Sequence, residues 1–298
     1  MTAANARLLI VIGKGGVGRS TTAAALAQQA ARNGLRALAI DATATGGLAL
    51  ALGHQQRPKP GRPMELSDPA VTMVELGTEA ALDEYVRLTL RIPIAPRSLG
   101  PIARIFDYVA TAAPAVREIL TIGKIAHEVR RGPWDVVVVD GPATGHVIEL
   151  LAAPDALGEL VGRGPLVDEA HWISALLADP AVTSAIPVTL AEELPVTETV
   201  ELVARLRAET RVHAGGLVVN RVPPVVSEAG QREAAQLVAR HDPLAQLAVV
   251  AVERDRRAQT ELGRLDPLDL ARVTVADTPG NPVEAMAGAL AATGWWLR

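Results

Sequence analysis

Five apolar residues, Leu8–Ile12, run without interruption into the glycine loop Gly13-Lys14-Gly15-Gly16-Val17-Gly18, and Arg19-Ser20-Thr21-Thr22 follows at once. That order is strand, loop, helix. Glycines permit the tight curvature that turns successive N–H groups toward one point, and the helix that follows adds its positive end, so the feature predicts a phosphate cradle. A chain with such a loop is confined to an α/β fold with the loop at a strand's carboxyl end.

The rest of the sequence agrees. Short runs rich in Val, Ile and Leu recur at Ala37–Ile40, Val71–Val74, Val136–Val139, Ala185–Thr189, Gly216–Val219, Ala248–Val252 and Val273–Ala276. Between several of them lie stretches of helical spacing, such as Thr21–Arg32, Thr197–Arg207 and Gln231–Arg240. The alternation predicts a mostly parallel sheet of about eight strands with helices on both faces. Hydrophobic residues reach 49% while aromatics reach only 2%, so the core must be filled by aliphatic and alanine side chains. One domain, 1–298, is expected, with helical insertions at about 76–131 and 155–180 and a Pro- and Gly-rich loop from Gln56 to Pro63.

The loop can be read in two chemistries. Gly13-x-Gly15-x-x-Gly18 is a dinucleotide fingerprint, with Asp41 after the second run where a ribose-binding acid would stand, which implies a Rossmann-type oxidoreductase. The same residues keep the Walker A spacing, Gly13-x-x-x-x-Gly18-Arg19-Ser20, with a hydroxyl at Ser20 for Mg²⁺ and Thr21 beside it for phosphate. A second motif favours the Walker reading. Four valines, Val136–Val139, predict a strand buried on both faces, and Asp140 at its carboxyl end is where an acid supporting Mg²⁺ belongs.

Lys14-Gly15-Gly16-Val17-Gly18, Asp140–His146, Val188–Thr199 and Val218-Val219-Asn220-Arg221 together resemble the ArsA family of anion-transporting and tail-anchored-protein-targeting ATPases, within the SIMIBI class of deviant Walker A P-loop proteins. The resemblance implies ATP or ADP with Mg²⁺ on residues 13–21, with Ser20 and Asp140 serving the metal. It implies that Lys14 reaches a partner subunit's phosphates, so that the protein works as a face-to-face dimer. Asp41 would position the attacking water, Asn220 would hydrogen-bond adenine, and Asp277–Pro279 would give backbone contacts to the base. It further implies an apolar client, such as a membrane protein, received in a helical groove; Leu82, Val86, Leu90, Ile102, Ile105, Phe106 and Val109 are candidates for it, and suit ordinary core packing as well.

The sequence also departs from that family. Arg19 stands where the compact Walker lysine belongs, and a forked guanidinium cannot occupy the same point. Asp41-Ala42-Thr43-Ala44-Thr45 lacks the Pro-Ala-His that follows the first acid, and Asp140-Gly141-Pro142-Ala143 differs from the usual Asp-Thr-Ala-Pro. These changes predict weak binding or slow hydrolysis, in a homodimer or in a degenerate subunit paired with a paralogous ATPase. With no cysteine, the chain has no thiolate site for arsenite or zinc. A net charge of -4 offers no broad basic field for nucleic acid. Leu8–Ile12 is too short for an export signal, which predicts a cytoplasmic protein.

Overall fold

The computed structural model describes residues 8–67, 70–76, 114–161 and 165–294. Its elements in chain order are β1 (Leu8–Gly13), α1 (Arg19–Arg32), β2 (Ala37–Asp41), α2 (Gly47–Ala51), β3 (Met64–Ser67) and β4 (Ala70–Glu75). After these come α3 (Pro114–Arg131), β5 (Val136–Asp140), α4 (Thr144–Val161), α5 (Pro165–Ala178), β6 (Thr183–Leu190) and α6 (Glu193–Glu209). The chain continues with β7 (Leu217–Val222), α7 (Glu228–Ala239), α8 (Ala245–Arg264), a single 3₁₀ turn, β8 (Arg272–Ala276) and α9 (Pro282–Thr293).

All eight strands form one sheet in the order β3-β4-β2-β5-β1-β6-β7-β8. Every pairing is parallel except β3 with β4. Because side chains alternate across a strand, β1 and β5 feed two separate cores. Leu9, Val11, Val136 and Val138 pack on one face, with the alanine-rich α1 and with Met286 and Leu290 of α9. Leu8, Ile10, Ile12, Val137 and Val139 pack on the other, with Ile122 and Ile125 of α3 and Ile148 of α4. Small residues on α1, among them Ala23, Ala24 and Ala27, are fully buried, which lets that helix lie close to the sheet without aromatic filling. β1 is therefore covered on both faces and flanked on both edges. Chain order reverses at it, with β5 and β2 on one side and β6 on the other, and such a switch point opens a crevice at the carboxyl ends.

Seven of the expected runs are strands and one is not. Ala248–Val252 lies inside α8, where no Gly or Pro interrupts the chain from Ala245 to Leu262 and helical spacing continues into the polar second half. A four-to-eight-residue apolar run carries no period of its own, and here length decides for helix. The eighth strand is β3, which pairs antiparallel with β4 through Met64↔Met73 and Leu66↔Val71. The 155–180 excursion is the end of α4 plus α5, and Val116–Arg131 lies in α3 directly before β5, as expected. The groove residues from Leu82 to Val109 and the pair Trp295-Trp296 lie outside the described residues.

Helices α7 and α8 form a hairpin that touches the body only near its base. Asp255 accepts a hydrogen bond from Val226 N (2.8 Å), just past the carboxyl end of β7. The ten α8 residues before Asp255 extend about 15 Å along the helix from that contact at 1.5 Å per residue. Of α8 only Asp255 and Ala258 are buried, whereas Leu247 is 68% exposed.

This packing predicts contrasting costs by chemical denaturation. Leu26→Ala, at a fully buried position, should lose about 2–5 kcal/mol, whereas Leu247→Lys should stay within about 0.5 kcal/mol. A large loss at Leu247 would show that the outer half of α8 packs on the body.

Candidate functional site

The loop between β1 and α1 takes its shape from three glycines with positive φ. A Cβ on Gly13 (φ 150) would lie 2.5 Å from the Val188 carbonyl oxygen of β6, and one on Gly18 (φ 102) would lie 2.3 Å from Asn220 Nδ2. Gly16 has φ 89, a conformation L residues rarely adopt, whereas Gly15 meets no steric demand. Thr22 closes the first turn of α1, its N–H and its hydroxyl both donating to the Gly18 carbonyl at 2.9 Å. Val17 is buried beneath the loop, while Gly15 and Gly16 face out. Among the described residues the N–H groups of Gly15, Gly16, Val17 and Gly18 donate to no partner. They form a concave set of donors above the carboxyl edge.

Next to this loop the sheet register lines up acids. Asp41 pairs with Asp140 across β2 and β5, and with Glu75 across β2 and β4, so three buried carboxylates stand side by side. Ser20 Oγ donates to Asp140 Oδ2 at 2.5 Å. The other oxygen, Asp140 Oδ1, is buried without a hydrogen-bond partner. Burial raises the Asp140 carboxyl to about 6, and the Asp41 charge adds to the rise, against the Ser20 hydrogen bond and the Arg19 guanidinium. Arg19 donates to the Gly141 carbonyl at 2.7 Å. Burial lowers the pKa of this guanidinium, opposed by Asp140 and Asp41.

Asp41 is occupied by its own loop. Its Oδ1 accepts from Thr43 N (2.9 Å), Thr43 Oγ1 (2.6 Å) and Ala44 N (3.0 Å), and its Oδ2 from Gly46 N (3.2 Å). Lys14 Nζ meets Glu198 Oε1 of α6 at 2.6 Å, with both side chains about one-third exposed. Asn220 Nδ2 donates to the Val17 carbonyl at 2.9 Å, locking β7 to the phosphate loop. A bulge between Val219 and Val222 accompanies this: Asn220 turns inward and Arg221, in a left-handed conformation (φ 51), outward. Arg221, Glu192, Glu193, Pro223 and Arg254 line a cleft of about 610 Å³ beside Asn220.

The structure thus brings together Gly13 through Thr21, Asp41, Asp140 and Asn220. Pro279 lies exposed in the loop after β8, and among the described residues no hydrogen bond ties it to them. His146, the histidine of the second motif, points to solvent, 3.4 Å from Glu149. Glu198, Glu75 and Arg57, which binds Glu75, were not singled out from the sequence. Glu198 stands within the Val188–Thr199 segment; the Arg57–Glu75 pairing has no local signal because the two lie 18 positions apart with a loop and β3 between them.

The donor set suits Mg²⁺. Ser20 and Asp140 present only oxygens, and the unpartnered Asp140 Oδ1 is a buried acceptor that a hard cation or its water would satisfy. Among the described residues no group of three or more acidic or histidine side chains could hold a metal, so most oxygens on such an ion would have to come from phosphate and water. No helix of the described residues is long and apolar enough to cross a membrane.

Comparison with known proteins places this geometry. Residues 6–167 match the family described as anion-transporting ATPase. The chain is 32% identical over 228 residues to the ATPase BagA of Mycobacterium tuberculosis, covering 73% of this chain and 66% of that protein, just under two thirds of the relative's length. It is 27% identical over 214 residues to an ATPase ASNA1 homolog of Leishmania infantum, covering 59% of this chain and 52% of the other. It is 26% identical over 215 residues to the arsenical pump-driving ATPase of Escherichia coli, covering 72% of this chain and 34% of the other.

The Asp140 environment has a measurable pH signature. With a folded value near 6 and an unfolded value of 3.8, the native protein binds the extra proton between those limits. Stability contributed by this group is therefore present below about pH 4 and is lost as pH rises through 6, by on the order of 3 kcal/mol. Asp140→Asn should remove that term, so the stability difference between variant and wild type should shift in the variant's favour from pH 4 to pH 7. Parallel stability–pH curves for the two proteins would contradict this assignment.

Proposed function

We propose, from the premise that the chain belongs to the anion-transporting ATPase (ArsA) family, that it binds ATP with Mg²⁺ on the loop from Gly13 to Thr21 and switches state with the nucleotide. The observation that carries this reading is the Ser20–Asp140 hydrogen bond beside a carboxylate oxygen that has no partner among the described residues, at the start of the helix that follows an exposed glycine loop. Such a hydroxyl and acid serve a metal-bound phosphate; a dinucleotide fold has no need of them. Asp41 likewise speaks against the dinucleotide reading, being fully buried and occupied by Thr43, Ala44 and Gly46 rather than open to a ribose.

Ser20 and Asp140 would hold Mg²⁺, which would supply charge neutralisation at the phosphates. The chain's own residues do the rest. Loop amides orient the phosphates, Arg19 adds a cation, and Asp41, held in place by its own loop, orients a water. Asn220 holds the loop from beneath, and the cleft beside it offers room for the base. Arg19 donates to the Gly141 carbonyl, away from the point a Walker lysine would take, which favours slow turnover.

Lys14 in this reading crosses to a second subunit, and the carboxyl edge is shaped to receive one. Leu50, Leu194 and Val225 expose apolar area along it, and Leu244, Leu247 and Val250 do so on the projecting hairpin. Arg19 fits both an identical copy that turns over slowly and a paralogue whose complete phosphate loop would restore hydrolysis. Targeting of an apolar client in the cytoplasm is the role we infer for the dimer.

The test is thermal melting, turnover and mass in solution on the same protein. Mg²⁺–ATP at about 100-fold over its Kd should stabilise by about 2.7 kcal/mol, with NAD giving no shift. Arg19→Lys should raise turnover by roughly tenfold or more, and Lys14→Ala should abolish ATP-dependent dimers while leaving the monomer's melting temperature unchanged. No shift with Mg²⁺–ATP, or a shift with NAD alone, would overturn the proposal.

A further inference from the structure

The segment Asp41-Ala42-Thr43-Ala44-Thr45-Gly46 is held by contacts on both of its sides. Asp41 binds it from the N–H side through Thr43, Ala44 and Gly46. Ala44 has φ 52, a left-handed conformation that costs a non-glycine residue roughly 1–2 kcal/mol and persists only where the surroundings enforce it. Enforcement from the other side comes from outside the loop. Arg57 Nη2 donates to the Ala44 carbonyl oxygen. The same guanidinium grips Glu75 bidentately, Nε to Oε2 at 2.9 Å and Nη2 to Oε1 at 2.7 Å.

Glu75 is a firm anchor because its side chain is only 4% exposed and its backbone is in register with Asp41 on the adjacent strand. Arg57 also packs closely: a Cβ on Gly46 would lie 2.9 Å from Arg57 Cδ. At the loop's far end, a Cβ on Gly47 would lie 2.9 Å from Ser20 Oγ, so the loop rests directly against the hydroxyl assigned to the metal. A chain of contacts thus runs from Glu75 through Arg57 and Ala44 to Asp41 and Ser20. A planar fork spreads its donors over two nitrogens, so it binds both carboxylate oxygens side by side and still reaches a third acceptor, a geometry that lysine's compact ammonium does not reproduce.

We infer that Arg57, anchored by Glu75, is a positioning residue that fixes the Asp41 loop against Ser20 for the reaction. The inference rests on the nucleotide reading above for its chemical consequence, but its structural half stands apart from nucleotide. Arg57 touches neither phosphate nor metal; it acts through the Ala44 carbonyl. Its charge also faces the Asp41–Glu75 pair of neighbouring carboxylates and offsets their repulsion.

The test compares wild type, Arg57→Lys and Glu75→Gln by amide hydrogen exchange and by single-turnover hydrolysis. Without nucleotide, the Thr43, Ala44 and Gly46 amides should exchange about tenfold faster in both variants, while amides of α1 stay as in wild type. Turnover should fall by roughly tenfold, with the Kd for Mg²⁺–ATP changed less than about twofold. Unchanged exchange at those amides would overturn the inference whatever nucleotide does. Faster exchange with unchanged turnover would overturn the link to the reaction. Absence of Mg²⁺–ATP binding in wild type would instead defeat the nucleotide reading and leave the loop clamp to be judged by exchange alone. Should Glu75→Gln fail to fold, Arg57→Lys, altered on a half-exposed side chain, carries the comparison.

Discussion

Asp140 ends a strand of four buried valines, and its carboxylate has almost no water to ionise into. One oxygen is served by Ser20 and the other by nothing, while Asp41 stands in register on the next strand. A buried acid in that position is costly unless a cation compensates it. The fold supplies Arg19 as partial compensation and, among the described residues, gives Asp140 Oδ1 no hydrogen-bond partner. The parallel sheet makes this arrangement unavoidable, since it delivers the ends of β1, β2 and β5 to one edge where the chain order reverses.

Around that edge the charges are tied off in pairs, each crossing between elements. Lys14 is held by Glu198 on α6, Arg19 by the carbonyl after Asp140, and Glu75 by Arg57 from the loop before β3. A pair one-third exposed such as Lys14–Glu198 is worth only about 0–1 kcal/mol, so a stronger anion competes for the lysine readily. Arg57–Glu75 differs, because its acid is buried and its fork is bidentate. The first contact is easily exchanged and the second is part of the frame. That contrast separates the group free to change partner from the group that keeps the site in shape.

How much of this was legible in the sequence follows from how local each signal is. Gly13, Gly16 and Gly18 announced their loop because positive φ and close approach leave no other residue a place there. Val136–Val139 and Asp140 announced a doubly buried strand and its terminal acid. Ala248–Val252 misled because an apolar run of that length has no period to read, and β3 was missed because Met64-Glu65-Leu66-Ser67 alternates over only four residues, too few to stand out after a proline-rich loop. Glu198 and Arg57 were out of reach: each matters only through a contact that tertiary structure creates. Asn220 was expected at a base and is found bound to the Val17 carbonyl, a partner 203 residues away that no spacing could suggest.

The account turns on Asp140, a metal and phosphate meeting at one place, and proton-linked calorimetry observes all three. Titrating a non-hydrolysable ATP analogue at pH 6, in buffers of differing ionisation enthalpy, should show one site per chain that tightens with Mg²⁺. Since a carboxyl near 6 is about half protonated at that pH and a metal requires it ionised, Mg²⁺-dependent binding should release roughly half a proton more from wild type than from Asp140→Asn, the nucleotide's own phosphate contributing equally to both. Binding indifferent to Mg²⁺ and to Asp140, or no binding at all, would contradict it.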